Sequence, residues 1–389
     1  MSNPENPEGT PVESGPKTRM LADDFSLLNA EGPEANSPIH TMVQLIDYPA
    51  ELEGRRKNLE ENPTCALAHV VMGLGLLRMG DYINGWREYS WVCHLIGETT
   101  GKPKSQGHGL TGPVWDGVSS LRNKKIMLVN EEGLGDFIQF LRYTTLLKKR
   151  YPGIHITLKP PPPLTRLFAR HLSVDKVIAY GDLFSNRSYD YWTSICRLPH
   201  ALQCTDLSPT DPYIVPCLSH VNRWKPALDA RCAGLRVALV WGGSTLHDED
   251  EARSTHFSEL SPLLDIPGIT FVSLQRDDRK YEAREYWGQS NFIDLGSYIE
   301  SFEDTAARLS CVDLLVSVDS SPVHLAGAMG TETWVLLAPR PDWRWGVAGS
   351  TTQLYTNMSL IRQKTANWAT IADQIKAKLL KKLSSRDLL

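Results

Sequence analysis

Apolar positions recur first at helical spacing and later as short, uninterrupted runs. Residues 42–61 predict one helix with a break at Pro49. Residues 66–79 and 82–96 predict a helical hairpin around Gly80-Asp81. From Lys124 the pattern changes. The run KKIMLVN at 124–130 suits a buried parallel strand. It is followed by a helix over 135–150, a strand at 154–158 and an extended Pro160–Pro163 crossing into a helix at 164–171. Residues 176–179 and 189–195 are further strand candidates. A second alternating series has strands at 235–241, 269–274, 313–318 and 333–338, and helices at 302–310, 322–329 and 368–383. Two β/α series in a row predict two Rossmann-like α/β domains facing a cleft, with ligands beyond the carboxyl ends of the strands.

The ends and joints differ in composition. Residues 1–38 hold six prolines among Glu, Asn, Ser and Gly, and read as a disordered tail. Residues 39–98 form the helical region. Its segment AHVVMGLGLLRMGDYINGWREYSWV resembles one tetratricopeptide repeat, with Gly73, Leu76, Gly80, Tyr82 and Tyr89 at the packing positions. Solenoids need about three repeats, so this pair reads as a hairpin packed on the next domain, with a remnant peptide-binding module as the alternative. Residues 99–123, rich in Gly, Pro and Ser, read as a connector. The expected domains are then 124–230 and 231–389.

With 389 residues, 41% apolar and 22% charged, the chain is long enough for two or three globular domains. No apolar stretch approaches the ~20 residues of a transmembrane helix, and the first residues lack a basic start with an apolar core. The expectation is a cytoplasmic protein. A net charge of −4 gives no global field for nucleic acid. Seven cysteines, an odd number without a CxxC pair, predict reduced thiols and neither a disulfide framework nor a zinc pattern.

Four constellations carry chemistry. Glu131-Glu132-Gly133-Leu134-Gly135-Asp136 follows a strand and opens a helix. Its glycines allow close ligand approach. Asp136 is placed either to act as a general base or to cap the helix. Glu131 and Glu132 are further acid/base candidates. Asp319-Ser320-Ser321-Pro322-Val323-His324 follows another strand; its helix start, hydroxyls and His324 suggest a diphosphate site, or a core histidine. Trp241-Gly242-Gly243-Ser244, continuing to His247, Arg253 and Ser254, offers small residues and a phosphate-binding arginine, with 248–251 as a solvated loop. Trp343-Arg344-Trp345 past a strand end could stack on a base and hold phosphate, or plug the domain.

In this order, NEEGLGDFIQFLRY, FVSLQ, SVDSSPVHLAGAMG and APRPDWRW resemble the heptosyltransferase-like glycosyltransferases of family 9, of the type fused behind tetratricopeptide repeats. The resemblance covers about residues 63–380. It implies a GT-B fold, with a nucleotide-diphospho-sugar donor held mainly by the C-terminal domain, and inverting sugar transfer that needs no metal or other cofactor. It also implies Asp136 as the catalytic base. Donor contacts are expected from Gly133, Gly135, Gly243, Arg253, Gln275, Asp319, Ser320, Ser321, His324, Trp343 and Arg344. The acceptor is expected to be a hydroxyl, on a macromolecule such as a protein, glycan or nucleic acid. The alternatives are an inactive GT-B scaffold and a nucleotide-sugar epimerase.

Overall fold

The computed structural model describes residues 50–92, 110, 112–130, 132–179, 182, 188–207, 212–232, 234–245, 247, 249–363 and 368–386. The predicted tail, about half of the connector and Glu131 lie outside these residues.

Three helices come first: α1 (Ala50–Glu61), α2 (Ala66–Arg78) and α3 (Tyr82–Tyr89). Helix α1 falls within the helix expected over 42–61; the expected break at Pro49 lies outside the described residues. Asp81 caps α3 by accepting from the Asn84 N–H at 3.2 Å. Helices α2 and α3 approach so closely that a Cβ on Gly73 would meet the Tyr89 backbone and one on Gly85 the Leu77 backbone. The hairpin shares its core with the α/β body. Trp86 is buried, edge-on to Phe140 at 5.8 Å and to Trp343 at 5.3 Å.

The first α/β unit contains β1 (Lys125–Val129), α4 (Leu134–Phe140), α5 (Tyr143–Arg150), β2 (His155–Lys159), α6 (Thr165–Phe168), β3 (Lys176–Val177), β4 (Tyr191–Ser194) and α7 (Leu198–Ala201). Its sheet has the order β3-β2-β1-β4 with parallel pairings. The single helix expected over 135–150 is two. At the junction the Thr144 hydroxyl donates to the Leu141 carbonyl at 2.7 Å, and buried Arg142 donates to the Gln139 carbonyl at 3.0 Å and to the Leu354 carbonyl at 2.9 Å. These side-chain bonds replace the regular helical ladder.

Helix α8 (Leu218–Arg231) leads to the second unit: β5 (Leu235–Val240), α9 (Asp250–Arg253), α10 (Phe257–Leu260), β6 (Ile269–Ser273), β7 (Phe292–Asp294), α11 (Phe302–Leu309), β8 (Leu314–Val318), α12 (Ser321–Met329), β9 (Thr333–Leu337), β10 (Met358–Arg362) and α13 (Ile371–Arg386). The sheet order is β10-β9-β8-β5-β6-β7, again parallel. Strands β5, β6, β8 and β9 are buried at nearly every position, as parallel strands covered on both faces must be. Strands β7 and β10 were not among those expected.

The two sheets form a GT-B-like arrangement. Helix α4 of the first unit packs on α12 of the second, and the carboxyl ends of β1, β5 and β8 open onto one cleft. Among the described residues no helix is long and apolar enough to cross a membrane.

Candidate active site

From the first unit, β1 delivers the chain to Gly133, which begins α4 in extended conformation. Asp136 sits in the first turn. Its Oδ2 accepts from the Gly133 N–H at 2.9 Å, so the carboxylate does cap the helix. Its Oδ1 meets the Arg344 guanidinium from the other unit. Capping and cleft exposure are therefore compatible: one oxygen serves each. Gly135 faces α12, and a Cβ there would strike the His324 imidazole. Glu132 is buried and accepts from the Tyr89 hydroxyl at 3.5 Å. Burial, then the Glu132 carboxylate, holds the Tyr89 phenol well above its usual range.

From the second unit, Asp319 follows β8, and its Oδ2 accepts from the Trp345 indole N–H at 2.7 Å. Burial first, and then the nearby Asp342 carboxylate, raise its pKa to about 6, while Arg253 and the indole bond oppose them. Ser320 turns inward, donating to the Val318 carbonyl at 3.1 Å. Pro322 brings no N–H, and the Val323 N–H is bonded to the Ser320 carbonyl at 3.0 Å. The start of α12 thus offers the cleft chiefly the Ser321 backbone and hydroxyl, a narrower anion site than a full helix end. His324 is buried, its Nδ1 3.2 Å from the Tyr355 hydroxyl and its ring stacked on Trp345 at 5.7 Å. Burial and then the Arg344 charge push its pKa down to about 3. It is a neutral imidazole at physiological pH, not a cation waiting for phosphate.

At the end of β5, Gly242 and Gly243 leave room for two guanidinium groups: a Cβ on Gly242 would meet Arg279, and one on Gly243 would meet Arg253. Both arginines are held by Asp250, at 3.3 Å from Arg253 Nε and 2.5 Å from an Arg279 terminal nitrogen. Asp250 is buried, against the solvated-loop reading of 248–251, whereas Glu251 is exposed and Asp248 lies outside the described residues; the two arginines compensate the Asp250 charge. Gln275 is a brace. Its carbonyl accepts from the Trp241 and Gly242 N–H groups at 2.9 Å each, and its amide donates to the Gly242 carbonyl at 3.1 Å.

The segment after β9 crosses the cleft. Arg344 is buried, and it reaches Asp136, Gln139 Oε1 at 2.5 Å and Asp342 at 2.7 Å. Burial by itself would lower its pKa, but Asp136 and Asp342 more than offset this and raise it. Trp343 points away from the cleft toward Trp86, so the aromatic beside the site is Trp345.

One cavity of about 330 Å³ collects these groups. Every residue expected to act as base or to contact the donor lines it except Trp343, which alternation along the turn between Trp343 and Trp345 directs into the hydrophobic contact. Sequence reasoning gave no role to Asp342, which lines the cavity, nor to Arg279 and Tyr355, which stand behind it on Asp250 and His324. Only Asp342 carried a signal, as a neighbour of Arg344. Elsewhere, ligand atoms of Cys217, His220 and Glu303 lie within 4.8 Å of one another, but none of the three lines the cavity and Arg170 already contacts Glu303. The described cysteines are free thiols.

Residues 253–375 match the family model described as Glycosyltransferase family 9 (heptosyltransferase). The matched stretch lies within the second unit and makes up about a third of the chain. Protein FlbA of Caulobacter vibrioides (strain ATCC 19089 / CIP 103742 / CB 15) is 29% identical over 294 residues, which make up 70% of this chain and 47% of FlbA. The chain thus spans about half the length of that curated relative. Among solved structures, the glycosyl transferase family 9 protein from Veillonella parvula DSM 2008 aligns with TM-score 0.47 at 14% identity, over 69% of this chain and 92% of that one. The E. coli ADP-heptose lps heptosyltransferase II gives 0.47 and 14%, over 66% and 99%.

Proposed function

We propose that the chain is a glycosyltransferase that moves a sugar from a nucleoside diphosphate to an acceptor hydroxyl with inversion. The observation that carries this is the meeting of Asp136, from the first sheet, with Asp319, Ser321 and Arg253, from the second, around one cavity. The family 9 match over the second unit supports the donor class. In this reading Asp136 takes the proton of the acceptor hydroxyl as its oxygen attacks the anomeric carbon. The bond from that carbon to the diphosphate breaks, and the departing charge is met by Arg253 and the Ser321 N–H. These groups supply the positive potential, so transfer proceeds without a divalent cation. The acceptor is a hydroxyl of a protein, saccharide or nucleic acid. The epimerase alternative rests on Glu131 or Glu132 as a second acid/base group, and Glu132 accepts from the buried Tyr89 hydroxyl.

The test is calorimetric titration with ADP-, GDP-, UDP- and dTDP-sugars. One nucleotide class should bind wild type, and Asp319→Ala with His324→Ala should lose it while circular dichroism shows a folded chain. Asp136→Asn should keep donor binding and lose transfer by about 10²-fold or more. Binding of none of the four classes would defeat the proposal.

A further inference from the structure

Arg344 makes a contact that the reaction cannot tolerate throughout its course. It is buried at the centre of the cleft and is held by groups from both units: Asp136 and Gln139 of α4 on one side, Asp342 of its own turn on the other. Its guanidinium lies over the Trp343 ring, 4.6 Å from the centroid, which fixes its plane. The carboxylate assigned as base is engaged at both oxygens, Oδ2 by the Gly133 N–H and Oδ1 by Arg344. An acceptor hydroxyl must approach one of those oxygens, and Oδ1 is the one paired with Arg344, which lines the cavity beside Asp136. The same cavity is otherwise rich in carboxylates, with Asp319 and Asp342 close enough to disfavour each other's charge. Of the other lining arginines, Arg253 is already drawn to Asp250, and Arg276 and Arg340 are exposed at the surface. A diphosphate entering this cavity meets Arg344 as the cation best placed to turn toward it.

Building on the transferase reading, we propose that Arg344 is a positioning latch that serves Asp136 and the donor diphosphate in turn. Without donor it closes the two units together and covers the base. Bound diphosphate competes for the fork of the guanidinium and draws it off Asp136, which leaves Oδ1 open to the acceptor hydroxyl. Donor binding therefore precedes productive acceptor binding, and part of the donor's binding energy goes into opening the latch.

A double-mutant cycle on product binding tests this without an acceptor. ADP, GDP, UDP and dTDP are titrated calorimetrically against wild type, Asp136→Asn, Arg344→Gln and the double variant. Removing the competing charge should tighten the nucleotide on the order of tenfold, the worth of one charge-assisted bond. Arg344→Gln should weaken it by at least as much. In the double variant the gain from Asp136→Asn should vanish. If Asp136→Asn tightens binding equally with and without Arg344, the effect is plain charge repulsion and the latch is wrong. If Asp136→Asn leaves affinity unchanged or weakens it, the latch is also wrong. Should Arg344→Gln fail to fold, Arg344→Lys takes its place. A point charge cannot engage Asp136, Gln139 and Asp342 together, so the gain should shrink there as well. Wild type that binds none of the four nucleotides overturns the transferase reading and the latch with it, whereas binding with a non-coupled cycle removes only the latch.

Discussion

Trp86→Ala tests whether the N-terminal hairpin is an appendage or part of the catalytic body. Trp86 is 2% exposed and lies edge-on to Tyr89 at 6.1 Å, to Phe140 at 5.8 Å and to Trp343 at 5.3 Å. It joins the hairpin, the helix that carries Asp136 and the turn that carries Arg344. Truncating a buried Trp costs about 3–5 kcal/mol in lost transfer energy and cavity. Three aromatic contacts of about 0.5–1.5 kcal/mol each disappear as part of that loss. Trp86→Phe makes a sharper control, because the indole N–H is buried with no hydrogen-bond partner. Phe retains most of the ring contacts and relieves that N–H, so it should cost less than half as much. Urea unfolding followed by tryptophan fluorescence and far-ultraviolet dichroism should show one cooperative transition, moved to lower urea in Trp86→Ala. Nucleotide affinity should fall as well, because Trp343 loses its support. A separate early transition, with the main one and the affinity unchanged, would refute the reasoning and make the hairpin an independent module.

Gly135→Ala should destabilise by about 1–3 kcal/mol and impair nucleotide binding, since its methyl group would press on the His324 ring and part α4 from α12; calorimetry and unfolding measure both. Gln275→Ala strands the Trp241 and Gly242 N–H groups, at about 1–3 kcal/mol each, so its unfolding midpoint should drop even without nucleotide. His324 has a folded pKa of about 3 against an ordinary 6.5. Its contribution to stability is whole above 6.5 and is lost as pH falls toward 3, by up to about 1.4 kcal/mol per pH unit. The stability gap between wild type and His324→Phe should accordingly narrow from pH 7 to pH 4 in urea titrations. Asp319 has the opposite sign: with a folded pKa of about 6 against 3.8, its contribution is whole below about pH 4 and lost as pH rises through 6. Asp319→Asn should gain on wild type over that rise, read in the same titrations.

The parallel strands were legible because strands covered on both faces read as apolar runs, and KKIMLVN, LRVALV and LLVSV do so. Strand β7 is three residues long and β10 is bounded by polar residues, so neither rises above loop composition. The break between α4 and α5 left no local mark. It comes from Arg142 reaching Leu354, more than two hundred residues away. Asp136, Asp319 and His324 were legible from their positions just after strands. Their states were not: the neutrality of His324 comes from its burial and then from Arg344, and the pairing of Asp136 depends on Arg344, which reaches both through the fold. Asp250 was misread because an acidic run looks solvated unless the arginines that cover it are known.

The closeness of α4 and α12 ties these features together. Gly135 has no side chain, so the two helix starts come near enough for groups on both to line one cavity. That proximity excludes water from His324 and Asp319, which shifts both toward their neutral forms. The neutral His324 adds no charge, whereas Asp319, with a pKa of about 6, still carries a carboxylate at neutral pH. The closest pairing of charge is at Asp136, Asp342 and Arg344, where one guanidinium balances two carboxylates across the cleft. A dianionic ligand entering that balance must displace one of the carboxylates. Asp342 belongs to the same short turn as Arg344 and travels with it, so Asp136 is the partner that can be given up.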